Sequence, residues 1–299
     1  MLPLHKKKRR KKATQKIATR AIRPLCSAQP RKILLRYITS YIITPLTPRV
    51  STYSKADKKI MATQQQPQQL PQYKLDFLRA ALEGGALRFG TFELKSKRQS
   101  PYFFNAGSFY TGALHASIVD AFASTIASAP EFKDKVDVIF GPAYKGIPLA
   151  AGVLYALARR DPAAYGGVGY AFDRKEAKDH GEGGTLVGAP LAGRRVLVID
   201  DVVSSGTAKR QAVDMIRAAG GTVAGIVVAL DRQETLPNNN DDAGAATTAS
   251  AIGELRREYG FPVVAIVRLD DIITGMRGEI SDADIARMEE YRAKYGASD

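Results

Sequence analysis

Two adjacent acids, Asp200 and Asp201, close an apolar run at 196–199 and are followed by Ser204, Ser205, Gly206 and Thr207. Hydroxyls and a glycine at that spacing suit an anion. The backbone N–H groups of a short loop and of a first helical turn point outward, at the positive end of the helix dipole. Two carboxylates beside such a cradle would repel a phosphate unless they serve other groups. Ribose hydroxyls and a divalent cation are the natural candidates. A second anion-binding candidate is Lys145, in the glycine-flanked loop GPAYKGIPLA at 141–150. The third is FDRKEAKDHGEGG at 172–184, where Arg174, Lys175, Lys178 and His180 place four cations within seven residues and Gly181, Gly183 and Gly184 permit movement. Each has an ordinary alternative: a solvated strand end, a common Gly-Pro loop, and a surface loop balanced by Asp173, Glu176, Asp179 and Glu182. An apolar run ending in acids also suits a nucleotide hydrolase, but no G-x-x-x-x-G-K-[ST] occurs in the chain.

The elements that must carry these residues are legible around them. The run 196–199 reads as a strand buried on both faces of a parallel sheet. From Thr207 onward, Ala208, Ala212, Met215, Ile216 and Ala219 recur at helical spacing until Gly220 and Gly221. Strand, acids, small-residue loop and helix form one unit. It is repeated by a strand at 136–140, the Lys145 loop and an apolar helix at 149–158, so that two anion loops open on the same sheet edge. Further strands are expected at 168–172, 223–230 and 263–269. Helices are expected at 73–83, along Leu114, Ile118, Phe122 and Ile126, at 254–259 and at 283–294. Short strands at 87–94 and 102–105 flank the basic turn KSKRQS, and 238–251 has no periodicity and reads as an exposed insertion.

Charge is segregated. Residues 1–60 hold 17 Lys or Arg against the single acid Asp57, whereas the remainder holds 27 basic and 29 acidic residues. The net +14 is therefore a property of the tail and says nothing about a substrate. Its Arg-rich, acid-poor composition admits a mitochondrial presequence or, from the basic run 6–12, a nuclear-import or nucleic-acid patch. The reading favoured here is a disordered extension, with Met61 a suitable natural start. The apolar patches at 33–43 are too short and too polar to span a membrane. Cys26, the only cysteine, lies in the tail, and beyond it only His115 and His180 remain. A thiol nucleophile and a disulfide are thereby excluded from the folded part, and no cluster of His, Cys and acids has the spacing of a zinc site.

The motifs carry a resemblance. IDDVVSSGTA resembles the phosphoribosyl pyrophosphate (PRPP) motif of type I phosphoribosyltransferases. FELKSKRQSPYFFN and RKEAKDHGEGG are similar to the substrate-binding segment and the hood loop of orotate phosphoribosyltransferases. The resemblance spans about 73–295. It implies an α/β type I phosphoribosyltransferase fold, a mostly parallel twisted sheet flanked by helices with a small N-terminal hood. PRPP would be met by Lys95, Tyr144, Lys145, Arg174, Lys175, Lys178, His180, Asp200, Asp201 and the loop Val202, Val203, Ser204, Ser205, Gly206, Thr207 and Ala208. Orotate would be met by Phe103, Phe104, Ser204 and Arg232, the last suiting a carboxylate that requires paired donors. Lys178, His180, Asp200 and Asp201 carry the catalytic assignment. Many family members have Thr-Ala where this chain has Ser204-Ser205, which bears on the orotate contact.

The reading is a transferase making orotidine 5′-monophosphate from orotate and PRPP in pyrimidine biosynthesis. Mg²⁺ arrives with PRPP rather than on a protein site, and the expected assembly is a cytoplasmic homodimer whose hood loops complete each other's sites. Residues 1–72 form the extension and Gln/Pro linker, and 73–299 the catalytic domain, with the insertion at about 236–252. No membrane or nucleic-acid partner is expected. The competing readings are a purine-base phosphoribosyltransferase and a PRPP-sensing regulator that binds nucleic acid through its tail.

Overall fold

The residues of the run 196–199 are each wholly buried, and they divide between two faces. Leu197 and Ile199 join one apolar cluster with Ile118, Phe122, Val153, Leu157 and Val227. Val196 and Val198 join another with Val213, Ile216, Ile226, Val228 and Leu255. This alternation is the two-residue period of a strand covered on both sides. Burying each such side chain contributes roughly 1.5–3 kcal/mol, enough to fix this strand at the centre of the sheet.

The computed structural model describes residues 69–178, 184–203, 206–236 and 248–299. The readings of the basic tail, of His180, of Ser204 and Ser205, of the middle of the insertion and of the Lys178 side chain lie outside the described residues. The first described elements are α1 (Gln72–Glu83) and a small antiparallel pair, β1 (Leu87–Glu93) and β2 (Gln99–Phe104). Then come α2 (Gly112–Ser128), β3 (Val138–Gly141), α3 (Gly146–Arg160), the short α4 (Pro162–Tyr165), β4 (Gly169–Lys178) and β5 (Gly184–Gly188). The second half holds β6 (Arg195–Val202), α5 (Thr207–Ala218), β7 (Thr222–Asp231), α6 (Ala251–Tyr259), β8 (Val263–Arg268), α7 (Leu269–Gly275) and α8 (Asp282–Tyr295). The main sheet runs in the order β5-β4-β3-β6-β7-β8. Every neighbouring pair is parallel except β4 with β5. The expected α/β architecture, with a small β-pair preceding it, is what is found.

Four expectations require correction. The strand expected to end at Phe172 continues through RKEAK to Lys178 and pairs with β5, Lys178 lying opposite Gly184. The charged run lacks the apolar face by which a sequence announces a strand. It is nonetheless one arm of an edge hairpin, where neither face needs covering. The helix after the Lys145 loop starts at Gly146, not at 149. The insertion is narrower than 236–252: Leu236 N donates to Ala249 O at 3.2 Å, and Ser250 caps α6 through Gly253 N. Finally, Leu70 packs against the main core, so the folded part begins before residue 73.

Candidate active site

Parallel strands bring their C-terminal ends to one edge. From β3 the chain passes through α3 to β4 on one side, and from β6 it passes through α5 to β7 on the other. The crevice between β3 and β6 is therefore the topological switch point, where open α/β sheets bind ligands. Lys145 reaches it on the loop after β3 and Asp201 from the end of β6, with Lys145 Nζ 2.8 Å from Asp201 Oδ2. Asn105 Oδ1 lies 3.5 Å from the same ammonium. The Lys145 side chain is 53% exposed and that of Asp201 14%. A pair whose lysine is this exposed is held weakly, and Lys145 can turn from it to a ligand bearing anions.

The Lys145 loop is held from beneath. Asp173, buried on β4, accepts a hydrogen bond from Ala143 N at 2.6 Å, and Gly146 N donates to Pro142 O. Tyr144 stands out into solvent. Gly141 is obligatory here, because a Cβ on it would lie 2.2 Å from Gly146 O and 2.9 Å from Ala150 Cβ. Gly141→Ala should cost about 1–3 kcal/mol through this overpacking. That corresponds to roughly 2–12 °C in Tm for a domain of this size, readable in a thermal melt.

The two acids, given one role by the sequence, have different partners. Asp200 is buried, and its Oδ2 accepts from Lys209 Nζ at 2.5 Å; the same ammonium donates to Val202 O at 2.6 Å. Lys209 sits in the first turn of α5 and its side chain is only 5% exposed. Sequence reasoning missed it, since a lysine on an amphipathic helix is ordinarily a solvated one. Gly206, at φ 78°, adopts the left-handed conformation that lets the chain turn into α5. Among the described residues no side chain caps that helix and no acid lies in its first turn, so its positive end suits an incoming anion. Thr207 and Ala208 are exposed on this turn, whereas Val203 is buried beneath it.

The residues assigned to the base come together only in part. Arg232 follows β7, and its Nε and Nη2 donate to Glu234 Oε1 at 2.8 and 2.7 Å, with Nη2 also donating to Ser100 Oγ at 2.9 Å. The guanidinium lies 4.4 Å from the Tyr102 ring centroid. Burial works against its charge, but Tyr102 and Glu234 outweigh burial and hold it above the ordinary arginine range. Burial, with Glu234 close by, pushes the neighbouring Tyr291 phenol up to about 12. Arg232 thus ties the β1–β2 pair to the main sheet. Ser100 and Glu234 were not foreseen, although an Arg and a Glu two residues apart hinted at the second. Phe103 and Phe104 occupy alternate faces of β2: Phe104 packs near Phe77 and Phe109, and Phe103 lies against Phe92 with Arg88 over its ring. Lys95 is exposed in the turn, Arg174 is half-buried and Lys175 exposed on β4.

A model of the phosphoribosyl transferase domain matches residues 106–250, the span holding the Lys145 loop, the acid pair and α5. The fold is that of a type I phosphoribosyltransferase. An orotate phosphoribosyltransferase of Metarhizium anisopliae is 58% identical over 232 residues, covering 77% of this chain and 99% of that protein. One of Kluyveromyces lactis is 47% identical over 232 residues, covering 78% and 99%. The crystal structure of the Francisella tularensis orotate phosphoribosyltransferase aligns with a TM-score of 0.61 at 37% identity, covering 74% of this chain and 99% of that one. The chain belongs to the orotate phosphoribosyltransferase family. No described helix is long and apolar enough to cross a membrane. Among the described residues, no group of three or more His, Cys, Asp or Glu could hold a metal ion.

Proposed function

We propose that the protein transfers the 5-phosphoribosyl group of PRPP to orotate. The bond from C1′ to the ring nitrogen N1 forms as the bond from C1′ to the pyrophosphate oxygen breaks. The pyrophosphate leaves with the electron pair and carries off the N1 proton, giving orotidine 5′-monophosphate. The observation that carries this reading is the meeting of Lys145 and Asp201 at the switch point, beside the start of α5. No base-activated nucleophile is required. Catalysis rests on positioning and on stabilising charge that grows on the leaving group.

In this reading the start of α5, from Gly206 to Ala208 with Ser204 and Ser205, cradles the 5′-phosphate. Asp201 accepts from the ribose hydroxyls. Lys145 turns from Asp201 to the pyrophosphate, joined by Lys95, Arg174, Lys175, Lys178 and His180. Arg232 takes the orotate carboxylate, and Phe103 and Phe104 border the ring. Mg²⁺ bound with PRPP would neutralise pyrophosphate charge, and Asp201 fits it, since that ion takes one or two carboxylates alongside substrate oxygens. The fall in absorbance as orotate is consumed with PRPP and Mg²⁺ tests the assignment. No consumption by the intact chain would refute it.

The assembly proposed is a homodimer in which the β4–β5 hairpin of one subunit reaches the partner's pyrophosphate. Mixing Lys178→Ala with Asp201→Ala, each inactive alone, should then restore about a quarter of wild-type activity per site after subunit exchange. No recovery, with exchange confirmed by mass spectrometry, would put both residues in one subunit's site. The tail is proposed to be dispensable for turnover. Deleting residues 1–60 should leave kcat and Tm unchanged, and aggregation of the shortened protein would oppose this.

A further inference from the structure

The chain leaves β7 through a conformation that most side chains disfavour. Gln233 has φ 52°, in the left-handed region that ordinarily falls to glycine. It stands between Arg232 and Glu234, whose side chains are joined. Such strain persists where the surroundings over-determine the backbone, and each polar group of Gln233 is engaged. Its N–H donates to Asp231 Oδ1 at 2.8 Å, and its carbonyl accepts from Ala297 N at 2.8 Å. In the side chain, Nε2 donates to Asp270 Oδ2 at 3.1 Å and Oε1 accepts from Asp270 N at 2.9 Å. These partners belong to β7, to α7 and to the segment after α8. Thr235 N, donating to Tyr295 O at 2.9 Å, extends the attachment to that segment. The turn thus fixes the backbone that launches Arg232 and brings Glu234 to its guanidinium.

We propose that Gln233 is a positioning residue for the base: its left-handed turn, locked to α7 and to the segment after α8, aims Arg232 at the orotate carboxylate. A guanidinium grips a carboxylate through a planar, directional fork, so a shift of the backbone behind it is felt at the ligand. This rests on the orotate reading of Arg232 and adds to it the residue that sets the direction of the guanidinium.

The test compares Gln233→Ala with Gln233→Gly in the full-length protein, measuring kcat and both KM values. Both variants lose the side-chain bonds to Asp270, but only glycine takes the left-handed turn without strain. Gln233→Ala should raise the KM for orotate by about 10²-fold, as when a contact is misplaced by an ångström. Gln233→Gly should raise it by only about threefold, the scale of an ordinary hydrogen bond. The KM for PRPP should stay near wild type in both. Introduced into the protein carrying Arg232→Met and Glu234→Gln, Gln233→Ala should change the KM for orotate by less than about threefold, because it acts through Arg232. A side chain that merely stabilises the fold would give alanine and glycine equal effects and would spread the loss to PRPP. Equal orotate KM values in the two variants, a wild-type value in Gln233→Ala, or a full further loss in the Arg232→Met background would overturn the proposal. Should Gln233→Ala fail to fold, Ala297→Pro decides in its place, since it removes the bond to the Gln233 carbonyl and leaves Gln233 itself intact. A raised orotate KM with an unchanged PRPP KM would then support the proposal, and a wild-type orotate KM would overturn it. A wild-type protein that turns over no orotate would overturn the transferase reading and this inference with it, whereas the other outcomes bear on the inference alone.

Discussion

Replacing Lys178 with alanine is expected to lower kcat by about 10²–10³ while the KM for PRPP changes little, the usual consequence of removing one well-placed donor to a developing charge. Lys178 is the last residue of β4 and pairs across to Gly184, so it stands where the hairpin hands over to the run DHGEGG at 179–184. In the proposed reading this end of the hairpin closes over the reacting pyrophosphate. Contacts made chiefly in the closed state stabilise the transition state more than the ground state. The effect therefore belongs in kcat. A variant with near-normal kcat would show that the charged hairpin is only a solvated edge.

Arg232→Met is expected to act on stability and on orotate recognition at once. Glu234, 14% exposed, would lose the guanidinium that neutralises it, at a cost of about 3–5 kcal/mol. Orotate would lose the partner of its carboxylate, worth roughly 2–5 kcal/mol of binding. The two effects separate in the Arg232→Met/Glu234→Gln double variant. Its Tm should recover towards wild type, while the KM for orotate stays raised by about 10²-fold or more. Recovery of both together would mean that Arg232 serves only to join the β1–β2 pair to the sheet.

The sequence made the core of the site readable where function and local structure share one stretch. The apolar run 196–199, the acids after it and the periodicity from Thr207 together determined a strand, a loop and a helix start, and β6 and α5 lie there. Two such units in one parallel sheet put the Lys145 loop and the acids on one edge, where the structure brings Lys145 to Asp201. What stayed hidden depended on partners distant in the chain. Lys209 looks like a surface lysine until Asp200 and the Val202 carbonyl are seen around it. Ser100 meets Arg232 across 132 positions. Residues 174–176 of β4 lie beyond the buried part of the sheet, so they carry charge where a strand would ordinarily show apolar alternation. Helix α7 is seven residues long, too short for periodicity to reveal.

The most direct test of the account is a competition in one vessel. Intact protein is given PRPP, Mg²⁺ and equal amounts of orotate, uracil, adenine and hypoxanthine, and the nucleotide products are identified by mass alongside released pyrophosphate. The arrangement around Arg232, a half-buried guanidinium beside an aromatic ring and bordered by Ser100, predicts orotidine 5′-monophosphate as the product, one per pyrophosphate. A purine nucleotide formed in preference, or pyrophosphate released with no nucleotide made, would contradict it.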